Sequence, residues 1–95
     1  MNTAQLLEIP AVWPELPRAD ASAKCYHVSP PMRGFSFVIG VEWRSGLVDI
    51  LGSSERGVLL RGEANDELMW IHIGSVFTPS TVEAEFEKLG YTVCH

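Results

Sequence analysis

Two cysteines and two histidines near the ends of the chain are residue types that hold zinc in structural sites. Cys25 and His27 are two positions apart and would share one face of a strand, whereas Cys94 and His95 are adjacent and would point to opposite faces. Structural zinc sites take their ligands in regular short pairs, which this spacing does not supply. We therefore expect no metal site, and a small metal-binding protein stays as an alternative to test.

The same cysteines bear on the compartment in which the chain works. The N-terminus has no basic segment followed by an apolar stretch, so the sequence carries no export signal and predicts a cytoplasmic protein. Two buried free thiols are the expected state in a reducing compartment. A disulfide between Cys25 and Cys94 would require their strands to be adjacent, and the sequence leaves this open.

His72 is the side chain best suited by type to proton transfer. It lies in the apolar run Met69–Ile73, where a histidine is more often a hydrogen-bonded residue of the sheet than a base. No serine lies in a nucleophile-elbow context, and the dispersed glycines form no phosphate-binding loop. We therefore expect a protein that is not an enzyme and that has no cofactor.

Tryptophan and arginine are the residue types that dominate protein-binding hot spots. The chain has three tryptophans, Trp13, Trp43 and Trp70, and the arginines available to a surface are Arg33, Arg44, Arg56 and Arg61. Trp13 lies between two prolines and is expected to pin an N-terminal arm onto the body of the protein. If Trp13 were exposed instead, it would be an anchor for a partner.

The acidic residues are concentrated in the last third of the chain. The net charge is −5, and residues 1–62 contribute nothing to it because their acidic and basic residues balance. The excess lies in residues 63–95, where Lys88 is the single base and the acids are Glu63, Asp66, Glu67, Glu83, Glu85 and Glu87. Such a field repels phosphates, so direct binding of nucleic acid is disfavoured, and it favours a basic protein partner.

The elements that position these side chains begin with an irregular, proline-rich arm over residues 1–34. Five of the six prolines fall in this arm and interrupt regular hydrogen bonding. Thr3 to Ile9 is expected to form one or two helical turns that stop at Pro10, and Lys24 to Val28 is expected to form a short strand. Residues 10–17 and 29–34 are expected to be irregular.

A period of two begins at Phe35 and predicts an antiparallel meander over residues 35–74. Apolar side chains alternate along the first strand at Phe35, Phe37, Ile39, Val41 and Trp43. Arg44-Ser45-Gly46 predicts a hairpin turn. Further strands are expected over residues 47–51, 58–61 and 68–73, with polar turns between them.

A helix is predicted over residues 79–90, followed by a short strand over residues 91–94. Ser80 and Glu83 have the spacing of a capping box, and Gly90 is placed as a C-terminal cap. Val82, Phe86 and Leu89 form one apolar stripe. The predicted fold is therefore α+β: one domain over residues 1–95, with a four-stranded antiparallel meander and one C-terminal helix packed on one face, above the alternating aromatic residues.

Together these features predict a small acidic protein-interaction module that acts stoichiometrically on a larger partner. One form is an inhibitor, of the bacterial immunity or phage counter-defence type, of a basic nucleic-acid-binding protein. Its expected binding residues are Glu63, Asp66, Glu67, Glu83 and Glu87. The alternative is an accessory or structural subunit that docks through Trp13 or a sheet edge. No apolar run is long enough to cross a membrane, and homodimerisation stays open.

Overall fold

A computed structural model describes residues 2–13, 21–60, 69–74 and 78–95. In this part of the chain the elements are β1 (Thr3–Leu7), β2 (Ala21–Met32), β3 (Phe35–Trp43), β4 (Val48–Gly52), β5 (Trp70–Ile73), α1 (Val82–Lys88) and β6 (Thr92–Cys94). The strands form one sheet in the order β5-β4-β3-β2-β1-β6. The α+β class is as predicted, and so is the C-terminal helix, the single helix within these described ranges.

The sheet is larger than the sequence indicated, with six strands among the described residues in place of the four predicted. Consecutive strands from β1 to β5 are antiparallel neighbours, so a meander is present and begins earlier in the chain than Phe35. β6 then lies parallel to β1, which makes the sheet mixed. The segment that follows α1 therefore joins the sheet at the edge opposite β5.

The prediction of helical turns near the N-terminus is wrong. Thr3–Leu7 is a strand that pairs with β2 on one side and β6 on the other, and Ala4 is fully buried. A helix this short has little stability of its own, whereas a strand between two neighbours satisfies its backbone groups on both edges. The sequence could not reveal this pairing because both partner strands are distant in the chain.

β2 is also longer than predicted, because it continues through the two adjacent prolines to Met32. The pairing of β2 with β3 is irregular between His27 and Met32, so Pro30 and Pro31 lie where a regular ladder is not required. Arg33 and Gly34 then both have positive φ, at 47° and 84°, as the central residues of a tight hairpin turn require. The expected irregular segment over residues 29–34 is therefore a strand end and a turn.

The β3–β4 hairpin forms where the sequence predicted it. Gly46 has φ 93°, and its amide donates to the carbonyl oxygen of Trp43 at 2.9 Å. The next predicted strand, over residues 58–61, is described only over residues 58–60, and these do not form a strand of the sheet. Val58 and Leu59 make isolated bridges to Val12 and Ser53, and β4 pairs directly with β5.

Both faces of the sheet are covered. One face packs under α1, with Val38, Ile50 and Phe86 in its core. The other face carries Ile39, Val41 and Leu51 and packs against the N-terminal arm and the segment that contains Leu59. The central strands are therefore apolar on both sides, as the fully buried pattern of β4 also indicates.

The alternating residues of β3 lie under the helix only in part, because Phe35 packs against the core on the α1 side but the later ones do not. Ile39, Val41 and Trp43 belong to the opposite face, whereas Val38, which breaks the alternation, lies on the helix side. Gly40 also lies on the helix side, where a β-carbon would come within 2.5 Å of Val82 Cγ1. α1 approaches the sheet closely because this position has no side chain.

The helix is shorter than predicted and begins from a different cap. Thr81 is the N-cap, and its hydroxyl accepts from the amide of Ala84 at 3.1 Å, so the Ser80–Glu83 capping box does not form. The Glu42 carboxylate accepts from the amide of Val82 at 2.9 Å. The predicted apolar stripe holds in part, because Val82 and Phe86 are buried and Leu89 is exposed.

The C-terminal end of α1 forms as predicted around Gly90, which has φ 88°. The amide of Tyr91 donates to Phe86 O at 2.9 Å, and that of Gly90 donates to Glu87 O at 3.0 Å. These are the two bonds of a Schellman motif, and the Phe86 and Tyr91 rings pack together beside them.

Candidate functional site

The acidic residues predicted to bind a partner are only partly within the described chain. Glu83 and Glu87 are exposed on α1, one helical turn apart. Glu83 also contacts His95, with Oε1 2.8 Å from Nε2. Glu63, Asp66 and Glu67 lie outside the described residues.

Trp13 packs against the face of the sheet opposite α1. This agrees with the prediction that Trp13 pins the N-terminal arm onto the body of the protein. Trp13 is partly buried, and its ring meets that of Trp43 edge to face at 6.3 Å between centroids. Trp43 Nε1 in turn donates to the Asp49 carboxylate at 2.7 Å. Burial raises the pKa of Asp49, which this hydrogen bond and the nearby His72 partly offset.

The two cysteines and their neighbouring histidines do not come together. β1 lies between β6 and β2, so Cys94 and Cys25 are on strands that are not adjacent, and both thiols are free. Cys25 is buried, which raises its pKa, and His27 packs on Phe37 with the ring centroids 5.1 Å apart. No group of metal-ligating side chains is found among the described residues.

Two adjoining depressions lie in the surface beside β5, and we call them together the β5 groove. The larger, with a volume of about 330 Å³, is lined by Met32, Arg33, Ile71, His72, Leu89 and Tyr91. The second, of about 240 Å³, is lined by Arg33 and all four residues of β5, Trp70, Ile71, His72 and Ile73. Because the second depression contacts every residue of the strand, the groove follows β5 along its length.

β5 lies at the edge of the sheet, and no strand in the described part of the chain pairs with its outer side. Two of its apolar side chains are open to solvent, since Ile73 is 63% exposed and Trp70 is 40% exposed. Leu89, the C-cap of α1, adds a third exposed apolar side chain to the groove. An edge strand with exposed apolar residues is a surface that pairs readily with another chain.

A buried carboxylate lies below the groove. The Glu85 side chain is 2% exposed, and its Oε2 lies 3.3 Å from Lys88 Nζ and 3.8 Å from His72 Nε2. Within the described residues, His72 Nε2 is buried and has no hydrogen-bond partner. The negative charge of Glu85 is therefore compensated from Lys88, and His72 lies between this carboxylate and the groove.

Among the described residues that line the groove, the exposed charged side chain is positive. Arg33 lines both depressions, and its place in the β2–β3 turn leaves it exposed. The Tyr91 hydroxyl is already used, because it donates to the carbonyl oxygen of Pro30 at 2.6 Å. The groove therefore combines an apolar wall with a cationic side chain, in a protein whose net charge is −5.

Trp70 and Arg33 were predicted from the sequence to be available to a surface, and a sheet edge was left open as a docking site. Ile73 and Leu89 were not predicted to be surface residues. Ile73 ends an apolar run that resembles a buried strand, and Leu89 completes the apolar stripe of α1. Ile73 is exposed because β5 lies at the edge of the sheet, and Leu89 is exposed because the helix ends before it.

None of the helices in the described chain has the length and apolar character needed to span a membrane. Comparison with known protein families finds no matching family model. Comparisons with curated proteins and with solved structures likewise find no match. The residues and geometry of the site are therefore the basis for any functional inference.

Proposed function

We propose that this chain is a protein-interaction module that acts stoichiometrically on a larger partner and docks through the β5 groove. The observation that carries the proposal is an edge strand that has no pairing strand on its outer side among the described residues, together with exposed Trp70 and Ile73. Edge strands give affinity through main-chain hydrogen bonds, and neighbouring side chains give specificity. Docking at a sheet edge belongs to the alternative hypothesis from the sequence, an accessory or structural subunit, and the proposal adopts that mode of docking.

Binding is favoured over catalysis because of the shape and contents of the groove. Its depressions lie along the outside of the sheet, whereas a catalytic site needs several convergent polar groups in a partly dry cleft. His72 borders the groove, but its buried Nε2 faces Glu85. These features support a docking surface.

Quantitative affinity capture from cells tests the proposal with three baits: the unaltered chain, Ile73→Asn and Val58→Asn. Val58 is a matched control because it is an exposed apolar residue, at 42%, outside the groove. We expect the unaltered chain and Val58→Asn to retain one protein in stoichiometric amount. Ile73→Asn should not retain this protein. Equal recovery by all three baits would contradict docking through β5.

The acidic form of the module, an inhibitor of a basic nucleic-acid-binding protein, is a second candidate. Exposed Glu83 and Glu87 on one face of α1 favour it. Reversal of both charges to lysine should slow association with the captured partner and lessen its dependence on salt. Association kinetics that are the same for the lysine variant at low salt would exclude this form.

A further inference from the structure

We propose that the partner presents an extended segment that pairs with the outer edge of β5 and brings an acidic side chain to Arg33. This inference rests on the proposed function and names the chemistry of the partner. The occupant is a segment of a different protein that combines apolar and acidic residues.

The extended form of the segment follows from the shape of the groove. The smaller depression contacts all four residues of Trp70–Ile73, of which Ile71 and His72 lie on the α1 side of the sheet and the two end residues lie on the opposite side. A helix or a loop would contact one face at a time, whereas an added strand runs along the same line as the depression.

The apolar part of the segment follows from the exposed side chains. Ile73 and Trp70 pair with Asp49 and Leu51 of β4, so both lie on the sheet face opposite α1, at the two ends of β5. A strand added beside β5 places its own side chains next to them, and aromatic and β-branched neighbours across strands stabilise such pairs. Leu89 offers a further apolar contact on the α1 side.

The acidic part of the segment follows from charge complementarity. Arg33 lines both depressions, and Lys88 is one position before Leu89, with its ammonium turned to Glu85. The described carboxylate beside the groove, Glu85, is buried and thus unavailable to a partner. A carboxylate on the partner would pair with the Arg33 guanidinium in the fork geometry that arginine favours.

The same charges disfavour a second copy of this chain as the occupant. A twofold contact brings identical patches together, so β5 paired with its symmetry mate would place two Arg33-lined grooves side by side. Like charges across an interface oppose association.

Selection from a random linear peptide library displayed on phage tests the inference. The baits are the unaltered chain, Arg33→Glu, Ile73→Asn and Arg56→Glu, each checked for folding by circular dichroism. Arg56 is a matched control because it is exposed, lies in the turn before Val58 and gives the same change in net charge. Binding of one selected synthetic peptide is then measured, together with amide hydrogen exchange in Trp70–Ile73.

We expect the unaltered chain and Arg56→Glu to select apolar peptides enriched in aspartate and glutamate. Arg33→Glu should lose this enrichment and bind the selected peptide roughly tenfold more weakly. Bound peptide should slow amide exchange along β5, as strand addition requires.

The contrary outcomes separate this inference from the proposed function. Peptides that need Ile73 but show no acidic enrichment would overturn the charge inference and leave docking at β5 in place. The charge inference and docking at β5 would both be overturned if no peptide were selected. They would also be overturned if the selected peptides bound Ile73→Asn as tightly as the unaltered chain. Self-association of the unaltered chain that Ile73→Asn abolishes, measured by sedimentation velocity, would replace the foreign segment with a second copy.

Discussion

At the scale of the residue, burial has the largest effect on the pKa of Tyr26, and nearby charges have a smaller effect. Tyr26 is 2% exposed and packs edge to face on Phe86, with the ring centroids 4.8 Å apart. Burial raises its pKa to about 12, and the carboxylates of Glu83 and Glu42 add to the shift in the same direction. The folded protein therefore holds the neutral phenol at a pH where the unfolded chain begins to ionise.

The sign of the resulting pH dependence follows from proton linkage. Between the ordinary tyrosine pKa of 10.0 and the folded value of about 12, the native state binds more protons than the unfolded state. The contribution of Tyr26 to stability is complete below pH 10.0 and is lost as the pH rises through this window. In Tyr26→Phe the free energy of unfolding should therefore fall less steeply as the pH rises from 10.0 to about 12. Urea denaturation at a series of pH values measures this slope.

A control for this prediction is Val38→Ala, which lies in the same core and carries no titrating group. It should lower the free energy of unfolding at every pH and leave the alkaline slope unchanged. An equally steep slope in Tyr26→Phe would show that burial of this phenol is not its cause.

At the scale of the element, α1 depends on its ends. A helix of seven residues is too short to be stable by itself, so caps and packing must hold it. Thr81, the Glu42 carboxylate and the Schellman motif at Gly90 together satisfy backbone groups that the helix leaves unpaired.

Substitution of the cap tests which residue begins the helix. Thr81→Ala should lower the free energy of unfolding by about 1 kcal/mol because the Ala84 amide loses its acceptor. Ser80→Ala is the matched control, since its hydroxyl makes only a long contact of 3.5 Å to Thr81 O. Urea denaturation would contradict the assigned cap if Ser80→Ala were the more destabilising.

For the whole molecule, the position of β1 determines which strands are neighbours at this end of the sheet. This N-terminal strand lies between β2 and β6, so the two ends of the chain meet in the sheet and the two cysteine-bearing strands are separated. Cys25 is 1% exposed, whereas Cys94 lies on the edge strand β6 and is partly exposed.

Thiol reactivity measures this arrangement directly. In the native protein Cys94 should react readily with Ellman's reagent, and Cys25 should react at least about a hundredfold more slowly because its thiol becomes accessible only when the structure opens. Cys94→Ser should remove the fast phase, and both cysteines should react in denaturant. Absence of reactive thiol in denaturant would indicate a disulfide and contradict the topology.

Local features were predictable because neighbours in sequence determine them. The period of two in β3, the Gly46 turn, the Gly90 cap and the short C-terminal strand each depend on residues within a few positions. The N-terminal strand was missed because Thr3–Leu7 has no strong pattern of its own. The long β2 was missed because proline pairs normally end a strand, and this one passes them at an irregularity in its pairing.

Local patterns in the sequence were enough to predict an α+β chain of antiparallel strands with one C-terminal helix and an acidic last third. The face of β3 that meets the helix, the place of β1 and the strand left at the edge became known only from the folded chain. Strand order and face depend on pairing between distant segments, and a shift of one position turns every side chain to the other face. The β5 groove exists because of that order: Arg33, His72 and Leu89 come from three separate parts of the chain and meet only in the folded sheet.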